Sequence, residues 1–264
     1  MSMPLNMSIS LEMKSIFSIS HLVLYFILLG SMNVSCKKNI SSETNIPKKE
    51  LQLLLEIDLP FTEPSGLAFS EAIQKMWVVS GGDQHVYMLD TSGNLEKKLN
   101  YEGTDLEGIA FDVTDSTLWI IDEATKEIVH LDLDGNVLLR KTESYSSTPN
   151  KGPEGITIGK DHIIYIINER NPSVLFELDS TYTIVQSYPL NFALDYSDVS
   201  YNSTTDTFWI LSDESNALFC WSKQQGVIDK YFLPNSKNEG IAFDRTRNIF
   251  YIVNDATAKL YFYR

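Results

Sequence analysis

Five short segments of the chain place an acid or a hydroxyl just ahead of an apolar run. They are Ser65 in Pro64-Ser-Gly-Leu-Ala-Phe69, Glu107 in Leu106-Glu-Gly-Ile-Ala-Phe111, Glu154 in Pro153-Glu-Gly-Ile-Thr-Ile158, Asp198 in Ser197-Asp-Val-Ser-Tyr201, and Glu239 in Asn238-Glu-Gly-Ile-Ala-Phe243. Successive members lie 42, 47, 44 and 41 residues apart. Four carboxylates brought to one point repel one another and resist ionisation away from bulk water, so a cation is their natural counterpart. A second polar set recurs after each segment and contains Asp83, Asp122 with Glu123, Asn168 with Glu169, Asp213, and Asn254 with Asp255. An all-oxygen set of carboxylates and amides suits Ca²⁺, which takes about six to eight oxygens, and suits Mg²⁺ less well. It does not suit Zn²⁺, which favours histidine and cysteine. Two plainer readings stay open. Asp, Asn and Gly are also ordinary turn formers, and duplicated units inherit residues from one ancestor.

Other chemistry has little support. Gly-x-Ser-x-Gly, His-Glu-x-x-His and glycine-rich phosphate loops are absent from the sequence. Of the four histidines, His21 lies in the amino-terminal segment, His130 in a strand pattern and His162 in a turn pattern. Only His85, close after Asp83, is placed to act as a base, and an ordinary exposed histidine is the other reading. With 21 Lys plus Arg against 35 Asp plus Glu, the net charge is -14. No basic block is available to neutralise a phosphate backbone, which excludes nucleic acid as a partner.

The elements that must position these residues follow from the repeat. About 11 or 12 residues after each aligned acid or serine comes an aromatic in an apolar run: Trp77, Trp119, Tyr165, Trp209 and Tyr251. Such β-branched and aromatic runs read as strands, and their aromatics suit packing between neighbouring units. Third and fourth strands follow, reversed at turns such as Ser92-Gly-Asn94 and Asp134-Gly-Asn136. The period fits one four-stranded propeller blade. The fifth repeat lacks a fourth strand, and Leu53-Leu-Leu-Glu-Ile-Asp-Leu-Pro60 ahead of the first repeat resembles Ile228-Asp-Lys-Tyr-Phe-Leu-Pro234. The expectation is an all-β chain, a five-bladed β-propeller over residues 51–264 closed by its amino-terminal strand. In a propeller the first strand of each blade lines the central channel, so Ser65, Glu107, Glu154, Asp198 and Glu239 converge at one mouth.

Residues 1–35 read as a signal peptide. Lys14 precedes an apolar stretch of eight residues, Leu22 to Leu29, too short for the roughly 20 residues a membrane-spanning helix needs. Val34-Ser35-Cys36 places a small residue before a cysteine and resembles a bacterial lipoprotein signal; cleavage nearby by an ordinary signal peptidase is the alternative. Acylated Cys36 would hold the protein on a lipid bilayer. Residues 36–50 are polar and read as a flexible tether. The sequence expectation is thus a membrane-anchored, periplasm-facing envelope protein, monomeric, with Cys220 as a free, buried thiol.

From about Leu51 to Arg264 the chain resembles the bacterial family called SdiA-regulated. The resemblance rests on Pro64-Ser-Gly-Leu-Ala-Phe69, Asp105-Leu-Glu-Gly-Ile-Ala-Phe111, Gly152-Pro-Glu-Gly-Ile156 with Ile167-Asn-Glu-Arg170, and Asn238-Glu-Gly-Ile-Ala-Phe-Asp244; these segments are also distantly similar to NHL repeats. It implies a five-bladed propeller, an envelope location and a calcium site. It also implies Glu107, Glu154 and Glu239 at the metal, with Asp122 and Asn168 near it, while the fourth repeat departs from the pattern by losing the glycine. Three functions remain open on sequence: a calcium-centred propeller that binds a small-molecule or protein ligand at the channel mouth, a calcium-dependent hydrolase of an ester, lactone or phosphoester in which Glu169 or Asp255 activates water, and an interaction module without a metal.

Overall fold

The computed structural model describes residues 49–142 and 152–264, so Cys36, the segment 1–35 and the tether up to residue 48 lie outside the described residues. Two short strands, β1 (Lys49–Glu50) and β2 (Leu53–Asp58), lead in. Blade 1 then holds β3 (Pro64–Ser70), β4 (Lys75–Ser80), β5 (His85–Asp90) and β6 (Leu95–Glu102). Blade 2 holds β7 (Leu106–Asp112), β8 (Thr117–Asp122), β9 (Glu127–Leu131) and β10 (Val137–Thr142). Blade 3 follows with β11 (Pro153–Ile158), β12 (Ile164–Asn168), β13 (Val174–Leu178) and β14 (Ile184–Pro189). Blade 4 is β15 (Asp198–Asn202), β16 (Thr207–Ser212), β17 (Ala217–Ser222) and β18 (Gly226–Phe232), and blade 5 is β19 (Asn238–Asp244), β20 (Ile249–Asn254) and β21 (Lys259–Tyr263).

Each blade is an antiparallel sheet, and the fifth is completed by β2, which pairs with β21 through Leu55–Phe262 and Ile57–Leu260. Five blades and closure by the amino-terminal strand are therefore the architecture, and the ring leaves no open first or last blade. One boundary differs from the sequence reading. Lys49 and Glu50 add to blade 4 as a strand parallel to β18, with Lys49 Nζ 2.5 Å from Asp229, so the folded body begins two residues before Leu51. The outer turns reverse where the sequence places them: Asp90 and Asp132 each accept two backbone N–H groups across Ser92–Asn94 and Asp134–Asn136. Gly93 and Gly135, at φ 84° and 90°, take the left-handed conformation those turns need.

The core lies between blades rather than within them. Five apolar clusters each join two neighbours: Met76 and Val78 of blade 1 meet Tyr251 and Val253 of blade 5, and Val79 and Val86 meet Ile109 and Ile120 of blade 2. The aromatics of the second strands serve these seams. Trp77 stacks on Phe111 at 4.5 Å, and Tyr251 meets Phe69 edge-on at 5.2 Å. Burial of rings this large holds the five inner strands against one axis, and this fixes where the channel residues point. Cys220 is buried on β17. Among the described residues no helix is long and apolar enough to cross a membrane.

Candidate functional site

The inner strands β3, β7, β11, β15 and β19 approach so closely that side chains do not fit between them at one level. A Cβ on Gly66 would overlap Glu107 O, one on Gly108 would overlap Glu154 O, and one on Gly240 would meet the backbone of Gly66 and Leu67. Glycine is required there by packing rather than by backbone conformation. Asp198 occupies the same level in the fourth blade. Gly66, Gly155 and Gly240 each pair one residue before the end of the second strand, at Val79, Ile167 and Val253, and Asp198 pairs with the corresponding Leu211. The counterpart of Glu107, Glu154 and Glu239 is therefore Ser197, and the sequence alignment of Asp198 with them is off by one residue.

That shift changes what Asp198 does. Its carboxylate is buried across the channel, where it accepts the N–H groups of Ile241 and Val199 at 2.8 Å each and lies against Gly155 of blade 3. Burial pushes its pKa well above the usual carboxylate range, opposed by the amides of Ile241, Val199 and Leu67. Asp198 bonds backbone on several blades and does not line the cavity at the mouth.

Beyond this layer, at the amino-terminal ends of the inner strands, is a cavity of about 310 Å³. Ser65, Glu107, Glu154, Ser197 and Glu239 line it from the strands, and Glu169, Asp213 and Asp255 line it from the returning turns. Oxygens of Asp105, Glu107 and Glu123 lie within 4.8 Å of one another. Burial, and then the neighbouring carboxylates, push Glu107 and Glu154 well above the usual range; Asp105 and Glu123 are raised for the same reasons. Glu239 is pushed up to about 7, chiefly by burial and then by Asp213. Two cations moderate the far side. Lys237 Nζ lies 2.7 Å from Asp213 and 3.6 Å from Glu239, and Arg170 bridges Glu169, at 3.1 Å, and Glu214.

The paired polar residues at the strand ends divide cleanly. Asp122, Asn168 and Asn254 are the last residues of their strands, fully buried, and turn onto backbone instead of into the mouth. Asp122 accepts from Thr104 N–H at 2.9 Å, Asn168 donates to the carbonyls of Arg170 and Pro172 at 3.0 and 2.8 Å, and Asn254 donates to Ser236 O at 2.7 Å. Asp122, Asn168 and Asn254 do not line the cavity; tight turns use these groups as staples. The next residue, Glu169 or Asp255, lines the cavity, while Glu123 accepts the Gly152 N–H at 2.7 Å and lies beside Asp105 and Glu107. Asp83 is also elsewhere, held by the Tyr87 hydroxyl and, at 3.3 Å, by Lys98. Nearby, His85 Nδ1 sits 2.5 Å from the Asp83 carbonyl.

Sequence reasoning did not single out Glu63, Asp105, Asp195 and Lys237, all of which line the same cavity. A signal was present for all four. Glu63, Asp105, Asp195 and Lys237 each stand two residues before Ser65, Glu107, Ser197 and Glu239, and alternate residues of an extended segment share a face. The chemistry of this donor set is all oxygen, crowded and partly withdrawn from water, which fits a hard divalent cation such as Ca²⁺.

The opposite mouth, at the carboxyl-terminal ends of the same strands, opens into a larger cavity of about 720 Å³. Polar side chains on its wall pair with one another. Arg245 bonds Glu71 at 3.0 and 2.6 Å and also reaches Ser203, and His162 lies 3.2 Å from Asp112.

The architecture is similar to that of several solved propellers. Glutaminyl cyclase of Myxococcus xanthus is 10% identical with a TM-score of 0.66, over 82% of this chain and 97% of that one. A streptogramin B lyase is 16% identical with a TM-score of 0.52, over 81% and 87%. The β-propeller domain of Myceliophteria thermophila Cps50 (Swd1) is 9% identical with a TM-score of 0.53, over 81% and 99%. At these identities the likeness is one of fold. No curated protein matches the sequence significantly. The profile of the SdiA-regulated family matches residues 47–263, nearly the whole of the propeller with its leading strand, and the chain belongs to the SdiA-regulated family.

Proposed function

We propose that this protein is an envelope lipoprotein whose propeller binds Ca²⁺ at the acidic mouth and uses the occupied mouth to hold a small-molecule or protein ligand. The observation that carries the reading is the Asp105, Glu107 and Glu123 group, whose oxygens converge within 4.8 Å. Lys237 and Arg170 direct their charge to Asp213, Glu239, Glu169 and Glu214, on the other side of the ring. A divalent cation beside Glu107 would relieve the cost of holding these buried acids together, with Glu154 and Glu239 within the same cavity.

Binding would order the turns that carry Glu123, Glu169 and Asp255 and so shape the rim presented to a partner. Calorimetric titration of the chelator-treated protein with Ca²⁺ tests the reading. One saturable site is expected, weaker for Mg²⁺ and lost in Glu107→Gln; heat that is the same in Glu107→Gln would refute it. The anchor is the lipid bilayer, reached through acylated Cys36 and the tether. Replacing Cys36 by Ser should move the protein from the membrane fraction to the soluble fraction, and retention of Cys36→Ser in the membrane would contradict the anchor.

A further inference from the structure

The larger cavity has chemistry of its own. Two turns from different blades meet on its wall: Asp112 ends β7, Thr114 follows it, and His162 precedes β12. His162 Nδ1 is 3.2 Å from Asp112 Oδ2, and His162 Nε2 is 2.9 Å from Thr114 Oγ1. Asp112 is buried, and its other oxygen accepts the Thr114 N–H at 2.9 Å, which fixes carboxylate and threonine relative to each other. One imidazole thus has an acid at one nitrogen and a hydroxyl at the other, the order in which a nucleophile, a base and an orienting acid cooperate.

A second histidine shows what a packed one looks like in this fold. His130 stacks on Trp119 at 4.0 Å, and its Nε2 alone meets both Thr117, at 2.7 Å, and Asp115, at 3.8 Å. The Thr117 hydroxyl is itself 2.5 Å from Asp115. With acid and hydroxyl at the same nitrogen there is no relay through the ring. His162 differs in using its two nitrogens separately, at the edge of an open cavity.

We infer that the second mouth is a hydrolytic site for esters with a small, uncharged acyl group, with Thr114 as nucleophile, His162 as base and Asp112 as the acid that positions His162. The cavity favours such a substrate. Arg245 on its wall is paired with Glu71, and Asp112 and Asp161 add negative charge, which leaves no surplus positive charge to draw an anion, and Ala68, Ala110 and Ala242 offer a small apolar surface. Thr114 Oγ1 attacks the carbonyl carbon as its proton passes to His162 Nε2. The ester C–O bond breaks, and the leaving alcohol takes that proton. Water then attacks the acyl-threonine, His162 accepts its proton, and Thr114 Oγ1 recovers it as the free acid departs.

This inference goes beyond the metal reading and is tested apart from it, in chelator. The full chain is incubated with p-nitrophenyl acetate, with nitrophenolate release and intact mass as readouts. Release above buffer is expected, with one acetyl group trapped on Thr114. Release should fall by about 100-fold or more in Thr114→Val and in His162→Gln, and persist in Thr114→Ser. Thr114 and His162 are exposed, so these variants should keep the wild-type unfolding temperature. No release above buffer, acetyl groups found on lysine only, or release that survives Thr114→Val or His162→Gln would each overturn the assignment.

Discussion

The two mouths of the channel are made from opposite ends of the same five strands, and they treat their acids in opposite ways. At the carboxyl-terminal end the acids are matched or spent on turns: Glu71 on Arg245, Asp112 on His162 and Thr114, Asp244 on Arg247. At the amino-terminal end Asp105, Glu107, Glu123 and Glu154 crowd one another, and burial raises all four. The difference teaches how to separate a turn-forming acid from a ligand-seeking one. A short hairpin consumes the carboxylate of its first residue, whereas Glu107 and Glu154, at the entry to inner strands, stand among other acids. Asp198, buried between the inner strands, bonds backbone of neighbouring blades.

The largest expected effect comes from removing that buried carboxylate. Asp198→Ala would leave the buried N–H groups of Ile241 and Val199 without an acceptor and should cost about 3 kcal/mol in urea unfolding. An unchanged midpoint would mean that Asp198 does not hold the blades together.

A second expected effect separates the mouths by charge. Glu107→Gln combined with Glu154→Gln should raise the stability of the calcium-free protein by about 1 kcal/mol, since repulsion is removed, while abolishing its response to Ca²⁺. Loss of stability in chelator would show that the acids are already compensated.

The pH dependence sharpens the same contrast. Glu239 is raised from 4.5 to about 7 in the fold, so across that window the folded state holds more protons than the unfolded one. Stability of the calcium-free protein should fall as pH rises from about 4.5 to about 7, with saturating Ca²⁺ flattening the slope. Rising stability over that range would contradict the assignment. The smallest effect belongs to Lys237→Met. Its side chain is 51% exposed, so its loss should cost under about 1 kcal/mol in chelator and enlarge the stabilisation by Ca²⁺, as Asp213 and Glu239 are released.

Much of this molecule is legible in its sequence because a propeller repeats its reasons. Glu-Gly-Ile followed by an aromatic strand 11 or 12 residues later marks each blade, and the tight contact of inner strands demands the glycine. The fourth blade shows where the reading slips. Without a glycine, alignment by charge selects Asp198, yet the serine of Pro64-Ser65-Gly66 matches that of Tyr196-Ser197-Asp198, as the strand register requires. The strand ends mislead for another reason. Asp122 and Glu123 are equally acidic as letters, and only the direction of the final strand residue sends one under the turn and the other to the mouth. Thr114 and His162 are 48 residues apart, on turns of different blades, with no spacing that signals contact; packing of the blades brings them together.

The claim on which most rests is that the acidic mouth holds a divalent cation. Thermal unfolding of the chelator-stripped protein, repeated with millimolar Ca²⁺ and with Mg²⁺ as control, tests it most directly. A ligand bound only by the folded state adds about 2.7 kcal/mol at 100 times its dissociation constant. A rise in unfolding temperature that is larger for Ca²⁺ than for Mg²⁺ and absent in Glu107→Gln is the predicted result, and no rise with either ion would contradict it.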